Sequence, residues 1–335
     1  MNAANRLARP AYFIPDPWTR TPADNSYFSK SITSAIKQAV NDNSQAKLTF
    51  KTVFNLGLAF VGLVSPSRYL PLLRYALRAR SKPWRKALFL DLLLYEIHKS
   101  LWIKKAPNFS TLFLNAGAHI QHHYFFNSPY VQSEELKNPS WYIANTADPV
   151  LEMLIAYDAI LVDFLRSPNT EFIVATGLSQ KPYEDLQYYY RLIDHAAFLR
   201  KLGIDFTDVV PRMTRDFLIS FDTDDQALLA EQRLSQILVD GEVKLFDEID
   251  NRGKDLFVVL TYPSEVTDRT MISYLGGEAR LGEAVTFVAV KNGEHQSKGF
   301  AVFSAGLRAL SPPSGSHVSD IHRTVLQYFG ISNPR

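Results

Sequence analysis

From Trp84 to Trp102 polar and apolar residues alternate with the period of an amphipathic helix, and prolines at 66, 71 and 83 break the chain before it. The first hundred residues read as mainly helical, with no convincing strand. After them the pattern alternates. Ser110 to Asn115 and Glu171 to Thr176 are short apolar runs of strand type. Pro149 to Leu165 and Tyr183 to Leu202 carry helical periodicity, the latter stopping at Gly203. Asp216 to Phe221, Thr223 to Val239, Val243 to Asp250 and Leu256 to Tyr262 read as a small β-α-β-β unit, after which strands resume at Ala284 to Lys291 and Gly299 to Ser304. Apolar strands separated by helices imply an α/β fold with a mostly parallel central sheet covered by helices on both faces. The expected organisation is a mainly helical region over 1–108 that packs on or covers the site, an α/β core over 109–335, and an α+β insertion over 211–262.

Composition narrows the function. With 335 residues, 46% of them hydrophobic, the chain can bury a large core. A net charge of +2 is too small to argue for a nucleic-acid partner, and the basic run from Arg74 to Lys86 reads first as a solvated helix face. With no cysteine there can be no disulfide, thiolate metal site or cysteine nucleophile, so any metal must be held by His, Asp, Glu or Asn. No secretory signal opens the sequence, which points to the cytoplasm. The most apolar stretch, Val53 to Val64, is well short of the roughly 20 residues that span a bilayer. A peripheral membrane contact through Val53 to Leu77, where arginines follow apolar residues, is a lesser reading.

Candidate chemistry concentrates in Asn115-Ala-Gly-Ala-His119-Ile-Gln-His122-His123, where three of the eight histidines fall within five residues. In a helix His119 and His123 share a face with His122 beside them, and neutral imidazoles are good zinc ligands. The same cluster could equally be ordinary hydrogen-bonded residues at a strand-to-helix corner. His98 and His195, isolated in amphipathic stretches, read as structural. Asp158 and Asp163 read as solvated or capping carboxylates, and Tyr183 with Tyr188-Tyr-Tyr190 as a packed helix surface.

Several segments, in order, resemble the alkaline phosphatase superfamily, in particular its type I phosphodiesterase and nucleotide pyrophosphatase branch. Asn115-Ala-Gly-Ala-His119 is similar to that family's Asp-x-x-x-His strand end. Tyr157-Asp158 resembles its helical "YD" pattern, and Phe172 to Gln180 lies where the family carries Ser-Asp-His-Gly. Gly293-Glu-His295-Gln-Ser-Lys-Gly299 resembles its Gly-x-His-x-x-x-Gly turn, and Asp320-Ile-His322-Arg-Thr324 its terminal helix. The resemblance implies a metal-dependent hydrolase of a phosphodiester, phosphomonoester or related ester. It implies a first divalent ion, most readily zinc, on Asn115, His119 and His295. Asparagine in place of aspartate weakens that site, and Thr176-Gly177 replaces a carboxylate and an imidazole of the second. The family's nucleophile and first aspartate precede the region that Tyr12 to Asp16 matches. The chain is therefore read either as the later part of a longer hydrolase or as a lineage without the usual mechanism. A missing first strand would leave a sheet edge open to pairing with another copy. Thr176 and Ser179 are the substitute nucleophiles, while His122, His123 and Asp16 are assigned to binding the substrate anion. The competing reading is a catalytically silent member that binds a ligand or partner.

Overall fold

The computed structural model describes residues 9–15, 19, 21–41, 50–131, 136–212 and 214–332. The chain divides into two compact units, one made of Met1–Ser128, Asp148–Lys181 and Glu294–Arg335, the other of Pro129–Ala147 and Pro182–Gly293.

The first unit is built on helices: α1 (Tyr27–Asn41), α2 (Phe50–Leu63), α3 (Pro66–Arg78), α4 (Arg85–Lys105), α5 (Ala116–Tyr124) and α6 (Pro149–Leu165). A short antiparallel ladder of β1 (Ile173–Ala175) with β12 (Ala301–Phe303) and a terminal helix α9 (Asp320–Tyr328) complete it. Helix α4 is the axis of this unit, touching α2, α3, α5 and α6. Its buried face runs from Leu88 through Leu92, Leu93 and Leu94 to Ile97. Helix α6 starts where its chemistry dictates. The Asp148 carboxylate accepts from Leu151 N at 3.0 Å, and Pro149 occupies the first turn, where no amide hydrogen is needed. Glu152 then joins α6 to α4 through Arg85, whose Nε and Nη2 lie 2.8 and 2.9 Å from its two oxygens, and through Trp84 Nε1 at 3.0 Å. The β1–β12 ladder closes on a glycine. A Cβ on Gly299 would stand 2.3 Å from the carbonyl oxygen of Thr176, so only glycine allows this approach.

The second unit holds two antiparallel four-stranded sheets. One has the order β3 (Asp208–Pro211), β4 (Asp216–Ser220), β8 (Asp255–Val259), β7 (Glu248–Asn251). The other has the order β10 (Gly277–Arg280), β9 (Met271–Tyr274), β5 (Leu238–Val239), β6 (Val243–Lys244). Helix α7 (His195–Lys201) and helix α8 (Asp224–Ser235) accompany them. Alternation sets which side is buried: Phe217 and Ile219 of β4, with Leu256 and Val258 of β8, are fully enclosed with Phe246, Leu234 and Leu199. Helix α8 opens with a capping box in which Thr223 and Gln226 satisfy each other's backbone amides. Helix α7 closes at Gly203, whose φ of +67° is the left-handed conformation that ends a helix. The long strands β2 (Ser179–Leu192) and β11 (Val285–Gln296) pair with each other.

The expected parallel central sheet is overturned. Among the described residues the strands form four small sheets of two or four strands, and the assigned registers are antiparallel. Three segments explain the error. The run at Ser110 to Asn115 forms no strand, and Thr111, Phe113 and Asn115 are exposed. The run at Glu171 to Thr176 gives only the three residues of β1, largely exposed rather than buried on both faces. The stretch from Tyr183, expected to be helical, is strand as far as Leu192; Tyr188, Tyr190 and Leu192 are buried at a period of two. Helix begins there only at His195, behind an Asp194 cap. Helices α1, α2, α4 and α6 agree with the expected helical segments, whereas α3 runs through Pro71, which was expected to break the chain.

Candidate functional site

The histidines lie on α5, and α5 is held at its start by α4 and α6. The buried carboxylate of Asp91 accepts from Asn115 N at 3.1 Å, Ala116 N at 2.7 Å and the Tyr157 hydroxyl at 2.6 Å. That hydroxyl accepts in turn from Gly117 N at 2.9 Å. The first three amides of the helix, which have no intrahelical partner, are thus satisfied by two side chains, one of them a carboxylate at the positive end of the helix dipole. Burial pushes the Asp91 carboxyl above its ordinary range, only partly offset by its hydrogen bonds from Tyr157 and the Ala116 and Asn115 amides. Burial and the neighbouring Asp91 raise the Tyr157 phenol as well. Gly117 leaves room for this clamp, since a Cβ there would meet the Tyr157 ring at 3.3 Å.

Beyond the clamp the imidazoles gather. His119 and His123, one turn apart, have ring centroids 4.6 Å from each other, and His122 and His123 are 6.4 Å apart. His295, near the end of β11, brings its Nε2 within 3.0 Å of Nε2 of His122, with ring centroids 4.7 Å apart. A contact between two such nitrogens needs one to donate and the other to accept, so protons on both would break it. Burial lowers His119 to about 4, with neighbouring His122 adding to the effect, and burial also holds His123 well below its ordinary value, with His119 and His122 adding to it. Both rings are therefore neutral near pH 7. The Nδ1 of His123 is buried with no hydrogen-bond partner among the described residues. Gln180 lies against this helix, its Nε2 donating to Ala118 O at 3.1 Å while its Oε1 is buried without a partner among the described residues.

The expected trio of Asn115, His119 and His295 is distributed differently. Asn115 caps α5 through its backbone and exposes its side chain. His119 meets His123, and His295 meets His122, the residue assigned to anion binding. No hydrogen bond or ring contact joins His295 to His119 or to Asn115 among the described residues. No group of three or more His, Asp or Glu side chains is arranged to hold a metal ion among the described residues. Thr176 is engaged in the ladder: its Oγ1 accepts from Phe300 N at 2.9 Å and its own amide donates to Phe300 O at 2.8 Å. Ser179 opens β2, half-buried. Asp16 lies outside the described residues.

His98 is buried between the Tyr12 hydroxyl, 3.3 Å from Nδ1, and Ser110 Oγ, 3.5 Å from Nε2. His195 is buried against the Phe217 ring at 5.0 Å. Asp158 is exposed, whereas Asp163 accepts from the Tyr95 hydroxyl and from Lys99 Nζ. The last two line a cavity of about 660 Å³ in the first unit, together with Arg68, Glu96 and Arg166, and no histidine borders it. Asp91 was not among the expected site residues, although an acid set within the apolar run Ala87–Leu94 is the signal of a buried, partnered carboxylate.

Compared with known protein families, with curated proteins and with solved structures, the chain gives no match. Among the described residues no helix is long and apolar enough to cross a membrane.

Proposed function

We propose that this protein binds one divalent metal ion, zinc by the chemistry of its ligands, at the His122–His295 pair, and that the bound ion receives a phosphodiester, phosphomonoester or related ester. The observation that carries the reading is the 3.0 Å approach of two ring nitrogens from residues 173 apart in sequence. Two imidazoles ligating one zinc at about 2.0–2.1 Å each place their nitrogens roughly 3 Å apart. The buried Nδ1 of His123, which has no partner among the described residues, supports a polar guest in the same cluster. Two protein ligands leave coordination positions open to solvent and to a substrate oxygen. When bound, the ion supplies Lewis acidity and a lowered pKa for coordinated water. His119 and His123, neutral by burial, offer hydrogen bonds beside it without bringing a repelling charge. The phosphate-type substrate rests on the motif likeness described above, and the parallel-sheet fold once attached to that likeness forms no part of the proposal.

Metal analysis of the full chain equilibrated with zinc tests the binding step. One ion per chain is expected, lost in both His122→Ala and His295→Ala and retained in His98→Ala. Zinc uptake unchanged in the two pair variants removes the proposal. Hydrolysis of generic phosphodiester, phosphomonoester and sulfate ester substrates by the loaded protein then tests the chemistry. A silent binding role has one observation in its favour, the engagement of the Thr176 hydroxyl in the β1–β12 ladder. Stoichiometric zinc with inactivity on every ester would select it.

A further inference from the structure

Helix α2 turns an apolar stripe to solvent. Phe50, the adjacent pair Val53 and Phe54, Leu58 and Val61 recur three or four residues apart, and all are exposed, Phe50 to 87% and Val61 to 68%. Helix α3 repeats the pattern with Leu70, Leu73 and Leu77, the last 77% exposed. A helix normally turns such a stripe toward a core, so two in succession facing outward mark a surface that another phase or molecule covers. The helices form one piece at their junction: the Phe60 and Tyr69 rings lie 4.8 Å apart, and the Tyr69 hydroxyl donates to Val61 O at 3.0 Å.

Charge decides what covers them. Between Asp42 and Asp91 the sequence contains nine lysines and arginines and no acidic residue. Arg74 and Arg78 sit on α3 beside the exposed leucines, with Arg80 just past its end. All three are exposed, and none forms an ion pair among the described residues. A protein partner or a second copy of this chain would have to bring its own acids to that segment, whereas an anionic lipid surface offers negative headgroups and apolar chains together. Long arginine side chains can reach headgroups while neighbouring leucines enter the acyl layer. Helix α2, 14 residues and therefore about 21 Å long, is too short to span a hydrocarbon core of about 30 Å.

We propose that the exposed apolar stripes of α2 and α3, set in this acid-free segment, dock the protein on the surface of an anionic lipid bilayer. Flotation of the full chain with vesicles tests it, using phosphatidylcholine alone and phosphatidylcholine mixed with phosphatidylserine, at low and high salt. The protein floats with the anionic vesicles, and added salt weakens the binding. Replacing Arg74 and Arg78 by Gln lowers partition by roughly fivefold per charge removed. The double change Leu73→Asp and Leu77→Asp lowers it roughly tenfold or more, while Leu228→Asp on α8, also exposed, leaves it unchanged. The arginine variant keeps the test decisive if the leucine variant fails to fold. Absence of flotation with anionic vesicles overturns the proposal. So does equal binding by the stripe variants and the native chain, or self-association through this face without lipid binding.

Discussion

A single carboxylate, Asp91, decides where the histidines stand. It is buried, accepts three hydrogen bonds, and supplies the first turn of α5 with partners that the helix cannot provide. Asp91→Ala takes the acceptor from the buried Ala116 amide, the Asn115 amide and the Tyr157 hydroxyl, a cost of about 2–4 kcal/mol. Denaturant unfolding will show the loss, and amide exchange at Ala116 and Gly117 will accelerate ahead of global unfolding if the clamp acts locally. The helical setting of His119, His122 and His123 was legible, because spacing within a short segment fixes which side chains share a face. The meeting of His122 with His295 was not, since a pairing across 173 residues leaves no local trace. The expectation that joined His295 to His119 came from motif likeness, because spacing says which residues lie on a face, not which of them a distant strand will meet.

Elements were legible where their ends carry their own chemistry. Helix α6 could be read from Pro149 to Leu165 because an aspartate and a proline announce its start. The tyrosine-rich stretch of β2 misled because aromatic residues at close spacing suit a helix surface and a half-buried strand equally, and only the burial at every second residue separates the two. The joint between α4 and α6 is the element-level feature most open to measurement. Burial by itself would raise the Glu152 carboxyl, but hydrogen bonds from Arg85 and Trp84 outweigh it and hold the group below its ordinary range. A carboxyl lowered by folding adds stability that is present above its unfolded pKa and disappears as pH falls through the folded value. Glu152→Gln therefore destabilises by about 1–3 kcal/mol near pH 7, and the difference from the native chain shrinks at acid pH below the usual carboxylate range. Urea titrations of both proteins across that range check it.

At the scale of the molecule, acid acts mainly through histidines that folding keeps neutral. Burial lowers His98 to about 4 in the first unit and His195 to about 4 in the second, where Arg191 adds to the effect. A free histidine titrates near 6.5, so between about 6.5 and 4 the unfolded chain binds protons that the folded chain refuses. Their contribution is complete above about pH 6.5 and falls as pH drops toward 4, by on the order of 1–3 kcal/mol for each ring. The urea midpoint therefore moves down between about pH 7 and pH 5, and His195→Phe, which keeps the contact with Phe217, flattens part of that slope. A midpoint that stays level across this interval contradicts the account. The clamp on α5 also ties mechanics to chemistry. Because Asp91 belongs to α4, any tilt of that long rod is handed to the base of the imidazole-bearing turn, so a load applied among the first helices would be felt as a change in the distance between two ring nitrogens.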